Sequence, residues 1–399
     1  MSILKLEQVI KASPSEIYRY FTNSTALKDW LCDVATADPH PNGRMYMWWN
    51  GGYYTSGEYL KLDEDKFVSF TWFGRGEPGP TQVDISLKKQ KDGTLVKLVH
   101  RGMGKSQKWT DISVGYAKEW SNALENLASV LEKGPDLRIT NRPMLGIFVG
   151  EYNAKIAGKL GVPLEQGMRL DGVIDGMGAQ KSGLQKDDVI VGMDGTEITG
   201  TTFAAFIETK RAGEVVEVTF YRGPEKKTTQ MKLSGRPIPA IPGSAVELSQ
   251  EIAKIYQRFE TEIEALLITA DEKECAKKPT PTEWSVNEIL AHLIHSERGW
   301  HNRLSEIVGG HEAAYDGFGG NIQAYIDGTV TVYPTKSVLF TELKLHDAES
   351  ISMLAHLPSD FLERKGGYWK LAFEAFQIPY HLQIHLEQIQ AAIQASQKK

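Results

Sequence analysis

The stretch Tyr380-His381-Leu382-Gln383-Ile384-His385 places two histidines four residues apart near the end of the chain. On a helix, residues at this spacing lie one above the other on the same face. Ile389 and Ala392 share that face, which is therefore expected to point into a core. Two neutral imidazoles so placed can bind one metal ion, and a packed, hydrogen-bonded pair is the alternative. Pro379, which lacks an N–H donor, must either begin a helical segment or kink one.

A second candidate helix begins after Ser285, which forms the S-x-x-E pattern of a capping box with Glu288. His292 would lie two turns into this helix. One histidine from this helix and two from the last helix could form a three-histidine site with positions left open for water or substrate. His295, one turn after His292, is a rival ligand.

The block from residue 244 to 399 resembles the DinB-like four-helix bundles. The resemblance lies in two runs, Trp-Ser…Ile-Leu-x-His-Leu from Trp284 and His-x3-His-Leu-x-Gln-Ile from His381. It implies a divalent metal, Zn²⁺ or Ni²⁺, held by one histidine of the second helix and two of the fourth. Carried over to this sequence, the implied ligands are His292, His381 and His385.

Composition and length set the general class. The 399 residues are too many for one compact domain, so two or three are expected. A net charge of −6 without a long basic run argues against a nucleic-acid surface. Two cysteines, Cys32 and Cys275, do not suggest a disulfide framework, and there is no apolar leader and no membrane-length run. We therefore expect a cytoplasmic location and no membrane span.

Residues 1–135 show the pattern of a helix packed on an antiparallel sheet. Ser13-Pro14-Ser15-Glu16 is a capping box with proline at the first helical position. Several alternating segments follow, and two of them flank the turn at Asp92-Gly93, which predicts a hairpin. A long helix with its apolar stripe at helical spacing ends at Gly134-Pro135. The order predicts an α+β domain.

A curved sheet that grips one helix commonly leaves a cavity, and this segment is rich in aromatic residues. We predict an apolar ligand cavity, and packing of the core is the alternative interpretation. Glu58 and His100 are the candidate polar anchors. The predicted lining is Trp48, Tyr54, Glu58, Trp72, His100 and Trp120.

The same segment resembles the START-like (SRPBCC) superfamily, in the branch related to activators of a heat-shock chaperone ATPase. The matching motifs include Pro41-Asn42-Gly43, Phe70-Thr71-Trp72 and Thr94-x-Val96-x-Leu98-x-His100. The resemblance covers the whole segment and implies a helix-grip fold.

Residues 138–236 resemble a bacterial PDZ domain of the kind attached to HtrA-type proteases. The matching residues run from Gly178 to Ile190 and on to Asp194-Gly195. The resemblance implies that the loop Met144-Leu145-Gly146-Ile147 offers backbone N–H groups to the C-terminal carboxylate of a peptide, which adds as a strand to the sheet edge. The implied groove residues beyond this loop are Phe148, Phe203, Phe206 and Ile207. The alternative is a PDZ fold that serves only as a packed spacer.

The predicted fold class is therefore multidomain. An α+β helix-grip (START-like) domain is followed by a mostly-β PDZ domain with short helices, a proline-rich spacer that ends at Gly243, and an all-α four-helix bundle. One functional hypothesis is a binding or adaptor protein with an apolar small-molecule cavity, a peptide groove and a three-histidine metal site. The other is a metal-dependent transferase or hydrolase of the DinB-like kind. Catalytic residues stay unassigned, because Glu297 is the only nearby carboxylate and no nucleophile–base pair or protease triad is recognised.

Overall fold

A computed structural model describes residues 2–200, 202–310 and 322–397. The first region contains an antiparallel sheet of seven strands in the order β1-β7-β6-β5-β4-β3-β2. Its elements are β1 (Ser2–Ile10), α1 (Pro14–Thr22), α2 (Ser24–Trp30), β2 (Val34–Ala37), β3 (Arg44–Trp48), β4 (Tyr54–Asp63), β5 (Phe67–Gly74), β6 (Thr81–Gln90), β7 (Gly93–Met103) and α3 (Gln107–Glu132).

The predicted α+β layout of this region is confirmed. Ser13 and Glu16 form the expected capping box at the start of α1, and Pro14 occupies the first turn. The β6–β7 hairpin turns next to Gly93 as predicted. Helix α3 buries a stripe that includes Trp120, Leu124 and Leu127 in the core that it shares with the sheet. The long helix is therefore held by the sheet.

The middle region is mostly β. Its main sheet has the order β14-β13-β11-β10-β9, which leaves β9 at an edge, and β15 pairs with β8 apart from it. Asp194 and Gly195 both have positive φ in the turn between β11 and β12, as the predicted hairpin requires. The elements are α4 (Leu137–Thr140), β8 (Pro143–Met144), β9 (Ile147–Val149), α5 (Ala154–Leu160), β10 (Met168–Val173), α6 (Gly178–Lys181), β11 (Val189–Met193), β12 (Thr196–Glu197), α7 (Phe203–Glu208), β13 (Val215–Arg222), β14 (Glu225–Lys232) and β15 (Ser234–Gly235).

The last region is helical. Its elements are α8 (Ala245–Ile268), α9 (Glu272–Ala276), α10 (Val286–Gly309), α11 (Ile322–Val332), α12 (Lys336–Ala355), α13 (Ser359–Glu363), α14 (Lys365–Ala375) and α15 (Ile378–Gln397). The predicted long helices correspond to α8, α10, α12 and α15, whereas α11 and α14 were not predicted. We expected the glycine-rich segment 309–320 to connect two helices, and from residue 311 onward it lies outside the described residues. In the ranges that are described, no helix is both long and apolar enough to cross a bilayer.

Helix α14 joins the bundle to the first domain, where it packs against α2 and α3. The Lys370 Nζ atom lies 3.4 Å from Oδ1 of the half-buried Asp29. Gly366 allows the helices to approach closely, because a Cβ at this position would lie only 2.3 Å from Cγ1 of the buried Val130. The absence of a side chain at Gly366 therefore sets the separation between the two domains.

We predict that Gly366→Ala lowers the free energy of unfolding by about 1–3 kcal/mol, because the new methyl group overpacks the interface with Val130. Gly299→Ala is the matched control, because Gly299 also lies in a helix and a Cβ there meets nothing within 4 Å. Gly299→Ala should stabilise the protein by up to about 1 kcal/mol through helix propensity alone. Chemical denaturation of both variants measures this, and equal effects would contradict the packing argument.

Candidate functional site

Three histidine side chains from two helices meet inside the bundle. His292 lies on α10, and His381 and His385 lie one turn apart on α15. The Nε2 atom of His381 is 3.2 Å from Nε2 of His292 and 2.9 Å from Nε2 of His385. The ring centroids of His292 and His385 are 4.6 Å apart. The structure thus brings together the three residues that the sequence analysis grouped as a set.

Burial keeps these imidazoles uncharged. Desolvation, followed by repulsion from the neighbouring rings, lowers the pKa of His292 to about 4. The same two causes lower the pKa of His381 to about 4. Burial also lowers the pKa of His385, against the opposing effect of a hydrogen bond to Gln388. At pH 7 all three side chains are neutral, which is the form in which imidazole binds a metal.

Gln388 fixes the orientation of one ring. Nδ1 of His385 is 2.8 Å from Oε1 of Gln388. A carbonyl oxygen only accepts, so Nδ1 carries the proton and the Nε2 lone pair faces the other two rings. Sequence reasoning missed Gln388, although its position three residues after His385 on one helix was a usable signal. The Trp284 ring packs against His292 in a tilted arrangement, at a centroid distance of 5.0 Å.

The donor set fits a divalent transition metal. One ring nitrogen from each of the three histidines lies within 4.8 Å of the other two. His381 contacts two Nε2 atoms at once, and a single N–H of its ring cannot point along both contacts. A cation between the rings would be bound by all three lone pairs instead. Three protein ligands leave further coordination positions open, as in catalytic rather than structural zinc sites.

Two other candidates near this site point elsewhere. The His295 ring stacks on Tyr325 at a centroid distance of 4.3 Å and does not belong to the three-histidine group. Glu297 is buried and accepts hydrogen bonds from Tyr256 at 2.8 Å and from Ser350 at 2.7 Å. Burial raises the pKa of Glu297. Its two partners direct this carboxylate toward α8 and α12, away from α15.

Part of the predicted ligand cavity of the first domain is a packed aromatic cluster. The rings of Trp72 and Trp120 are 5.3 Å apart. Trp120 Nε1 donates to Nδ1 of the fully buried His100 at 3.2 Å, so the ring proton of His100 sits on Nε2, 2.7 Å from Thr81 Oγ1. Burial lowers the pKa of His100 to about 4. His100 is therefore a neutral, fully hydrogen-bonded core residue.

The other three predicted cavity residues lie on the face of the sheet that points away from the core. Tyr54 is 41% exposed and Glu58 is exposed, whereas Tyr59 on the same strand is fully buried. Trp48 pairs with Tyr54 in the β3–β4 register and is only half-buried. Neighbouring residues of a strand face opposite sides of the sheet, so Tyr54 and Glu58 point away from the core in which Tyr59 and His100 are buried. The prediction that they line the same cavity is wrong.

Sequence analysis did not predict the hydrogen-bonded polar group around Glu77, which lies beside this aromatic cluster. Tyr53 donates to Oε1 of Glu77 at 2.7 Å, and Tyr116 donates to the same oxygen. Trp72 Nε1 in turn donates to the Tyr53 hydroxyl at 3.0 Å. These residues come from separate elements, and no spacing in the sequence connects them.

The middle domain has an exposed edge strand, β9, and a short helix, α7, whose apolar side chains pack on the domain core. Phe148 and Val149 on β9 are 59% and 62% exposed. From α7, Phe203 and Ile207 are half-buried and pack against the domain core, and Phe206 belongs to that core. The predicted groove residues thus lie on β9 and α7, and Phe206 acts mainly in packing.

The loop before β9 contains two successive backbone N–H groups without a hydrogen-bond acceptor among the described residues. Gly146 has φ +79°, and a Cβ there would lie 2.2 Å from Cβ of Met177. The carbonyl groups of Leu145 and Gly146 accept hydrogen bonds from Ala179 and Ile174. In the part of the chain that the structure describes, the amide groups of Leu145 and Gly146 have no acceptor. Successive amides of this kind form a site for an anion.

Comparisons with known protein families match three successive parts of the chain. Residues 11–132 match the family "Activator of Hsp90 ATPase homolog 1-like protein", residues 143–233 match the PDZ domain, and residues 251–389 match the DinB superfamily. The chain therefore contains a START-like domain, a PDZ domain and a DinB-type domain, in the predicted order.

Individual relatives resemble single parts of the chain. A probable periplasmic serine protease Do/HhoA-like from Haemophilus influenzae is 31% identical over 138 residues, which is 32% of this chain and 29% of that protein. The chain thus matches less than a third of the length of that relative. The solution structure of the Aha1 dimer from Colwellia psychrerythraea is 23% identical, with a TM-score of 0.31, and covers 33% of this chain and 97% of its own. An Hsp90 activator from Plasmodium falciparum is 16% identical, with a TM-score of 0.28, over 33% and 96%.

The depressed pKa of His100 predicts a pH-dependent contribution to stability. The unfolded chain takes up a proton near pH 6.5, whereas the folded chain resists it down to about pH 4. This contribution is present above pH 6.5 and is lost as the pH falls toward 4. The free energy of unfolding of the wild type falls between pH 7 and pH 5. In His100→Gln this decrease should be smaller by about 2 kcal/mol.

The measurement is the difference in unfolding free energy between wild type and His100→Gln at the two pH values. His40→Gln is the control, because His40 is exposed and a hydrogen bond to the Pro41 carbonyl raises its pKa. The control should not reduce the acid-induced loss. An unchanged slope in His100→Gln would show that His100 is not the buried neutral group described above.

Proposed function

We propose that this chain is a multidomain binding protein whose DinB-type bundle holds a divalent metal ion and whose PDZ domain captures the C-terminus of a peptide. The single observation that carries the metal part is the approach of three Nε2 atoms at 2.9 and 3.2 Å. Three neutral imidazoles whose lone pairs converge are typical of a site that binds a metal ion.

His292, His381 and His385 are the residues that would hold the ion. Imidazole donors suit Zn²⁺ and Ni²⁺. When bound, such an ion supplies a Lewis acid that lowers the pKa of a thiol or of water. Gln388 keeps the His385 ring in the tautomer that offers Nε2 to the site. The Trp284 ring packs against His292.

The unused amides of the Leu145–Gly146 loop and the edge strand β9 support the peptide part of the proposal. A peptide carboxylate would accept from these amides, and the peptide backbone would extend the sheet along β9. The apolar side chains of Phe203 and Ile207 favour an apolar last residue. The ligand class is therefore a free C-terminus that ends in an apolar side chain.

A metal-dependent transferase or hydrolase is the second candidate. It is favoured by the open coordination positions that three protein ligands leave, and by the partial exposure of His381. Against it stands the orientation of Glu297, whose hydrogen bonds to Tyr256 and Ser350 leave no carboxylate assigned as a base at the three-histidine site. We therefore place metal binding before catalysis.

The metal site is tested by equilibrium dialysis of the full chain against Zn²⁺, after purification without metal-affinity resin. The double variant His381→Ala/His385→Ala should bind one equivalent fewer than wild type, because two of three ligands are gone. His40→Ala and His356→Ala replace exposed histidines outside the site and should bind like wild type. If the double variant binds as much zinc as wild type, the three-histidine site is not a metal site.

The peptide groove is tested with a fluorescent peptide library that has free C-termini, and with the amidated form of each hit. Amidation should abolish binding, because it removes the carboxylate. Phe148→Ser should weaken binding about tenfold, or about 1.4 kcal/mol. Val215→Ser is the matched control, because Val215 is also 59% exposed but lies on β13, away from the edge strand. Equal affinity for free and amidated peptides would contradict the assigned loop.

A further inference from the structure

A second group of metal-ligand side chains lies between α10 and α12. Nδ1 of His301 and Nδ1 of His346 are 3.8 and 3.6 Å from the same oxygen of Glu349. The three residues each offer one donor atom within 4.8 Å of the others. His301 follows His292 by nine residues on α10, about 13 Å further along the helix axis. This second histidine cluster (His301, His346, Glu349) is therefore separate from the three-histidine site.

A buried hydrogen-bond chain fixes the tautomer of His301. Ser350 donates its hydroxyl proton to Glu297 at 2.7 Å, and Glu297 also accepts from Tyr256. The Ser350 oxygen therefore accepts from His301, whose Nε2 lies 2.8 Å away. With the proton on Nε2, the Nδ1 lone pair of His301 is free and faces Glu349. A carboxylate or hydroxyl that orients the far nitrogen of a histidine is the usual support of a metal ligand.

The second ring also presents an unused nitrogen. Nδ1 of His346 is buried and has no hydrogen-bond partner in the described part of the chain. Its Nε2 lies 3.4 Å from Oε1 of Glu342 and accepts from Arg298 Nε at 3.3 Å. When Nδ1 binds a cation, the ring proton moves to Nε2 and faces Glu342. Arg298 then pairs with Glu342, from which its NH2 group is already only 3.7 Å away.

The charge balance favours a cation at this position. Glu349 and Glu342 supply two carboxylates around the histidine pair, and Arg298 is the neighbouring positive charge. The side chain of Glu349 is 59% exposed, so the cluster is open to ions from solvent, whereas the two histidine side chains are only 14% and 16% exposed. A half-buried pair of imidazoles thus lies next to an exposed carboxylate at the surface.

We propose that His301, His346 and Glu349 form a second divalent metal site, selective for zinc-like ions over magnesium or calcium. Two imidazoles and one carboxylate are a zinc donor set, whereas the alkaline-earth ions need oxygen ligands. Ser350 and Glu297 are positioning residues for His301. The bundle then binds two ions at separate positions along the shared helix α10, and this second site stands independently of the proposed function of the first.

The test uses the full chain with the first site removed, as the double variant His381→Ala/His385→Ala. Titration with Zn²⁺ in the presence of excess Mg²⁺ should show one remaining equivalent. Adding Glu349→Gln should weaken it at least tenfold, and this exposed position should leave folding intact. Adding Ser350→Ala should weaken it by a similar factor, because His301 loses the partner that sets its tautomer.

His356→Ala is the matched control, because His356 ends the same helix α12 but lies outside the cluster. It should leave the zinc affinity unchanged. The proposal is overturned if the double variant binds no zinc, or if Glu349→Gln binds as tightly as its parent. Failure of the first site gives a different result, since wild type and double variant would then bind the same amount.

Discussion

The break between α14 and α15 is the constraint on which the arrangement of this protein depends. Pro379 has no N–H to donate to the residue four positions before it, so a helix cannot run unbroken from α14 into α15. The break lets two adjoining segments face different ways. Helix α14 places Gly366 against the first domain, and α15 turns His381 and His385 toward α10. A continuous helix could not satisfy both contacts.

Desolvation is the physical cause that the histidine sites share. Burial disfavours the imidazolium form of His292, His381 and His385 in the first site and of His301 in the second, and so lowers the pKa of each of these four side chains. Hydrogen bonds then decide which nitrogen keeps the proton. Gln388 does this for His385, and Ser350 does it for His301. In the first domain both nitrogens of His100 are engaged by Trp120 and Thr81, so the same residue type serves packing there.

In the PDZ domain, the proposed recognition of a peptide depends on backbone groups rather than on side chains. Gly146 adopts a positive φ that a larger residue would resist, and the successive amides of Leu145 and Gly146 have no acceptor among the described residues. Because β9 ends the sheet, its outer edge is a template for a further strand. The bundle thus offers side-chain donors, whereas the middle domain offers main-chain donors, and the two ligand classes do not overlap.

The sequence alone determined the features that depend on residues close together in the chain. These are the capping boxes at Ser13 and Ser285, the His381/His385 pair and the position of His292 two turns into its helix. Resemblance to known families supplied the role of the Gly146 loop and the order of the three domains, and it supported His292, which lies 89 positions before His381, as the third ligand. The alternation of buried and exposed residues along β4 is also a local pattern, yet Glu58 was assigned to the cavity although it is exposed. Aromatic residues occur on both faces of this strand, so the sequence does not indicate which face is buried.

Only the tertiary structure decided which distant side chains share a space. The second histidine cluster, the direction of Glu297 and the glycine contact between Gly366 and Val130 each join residues from different helices. No local pattern encodes such pairs, because they depend on how far each helix is rotated and displaced against its neighbours. Packing sets that rotation, and it is a property of the whole core.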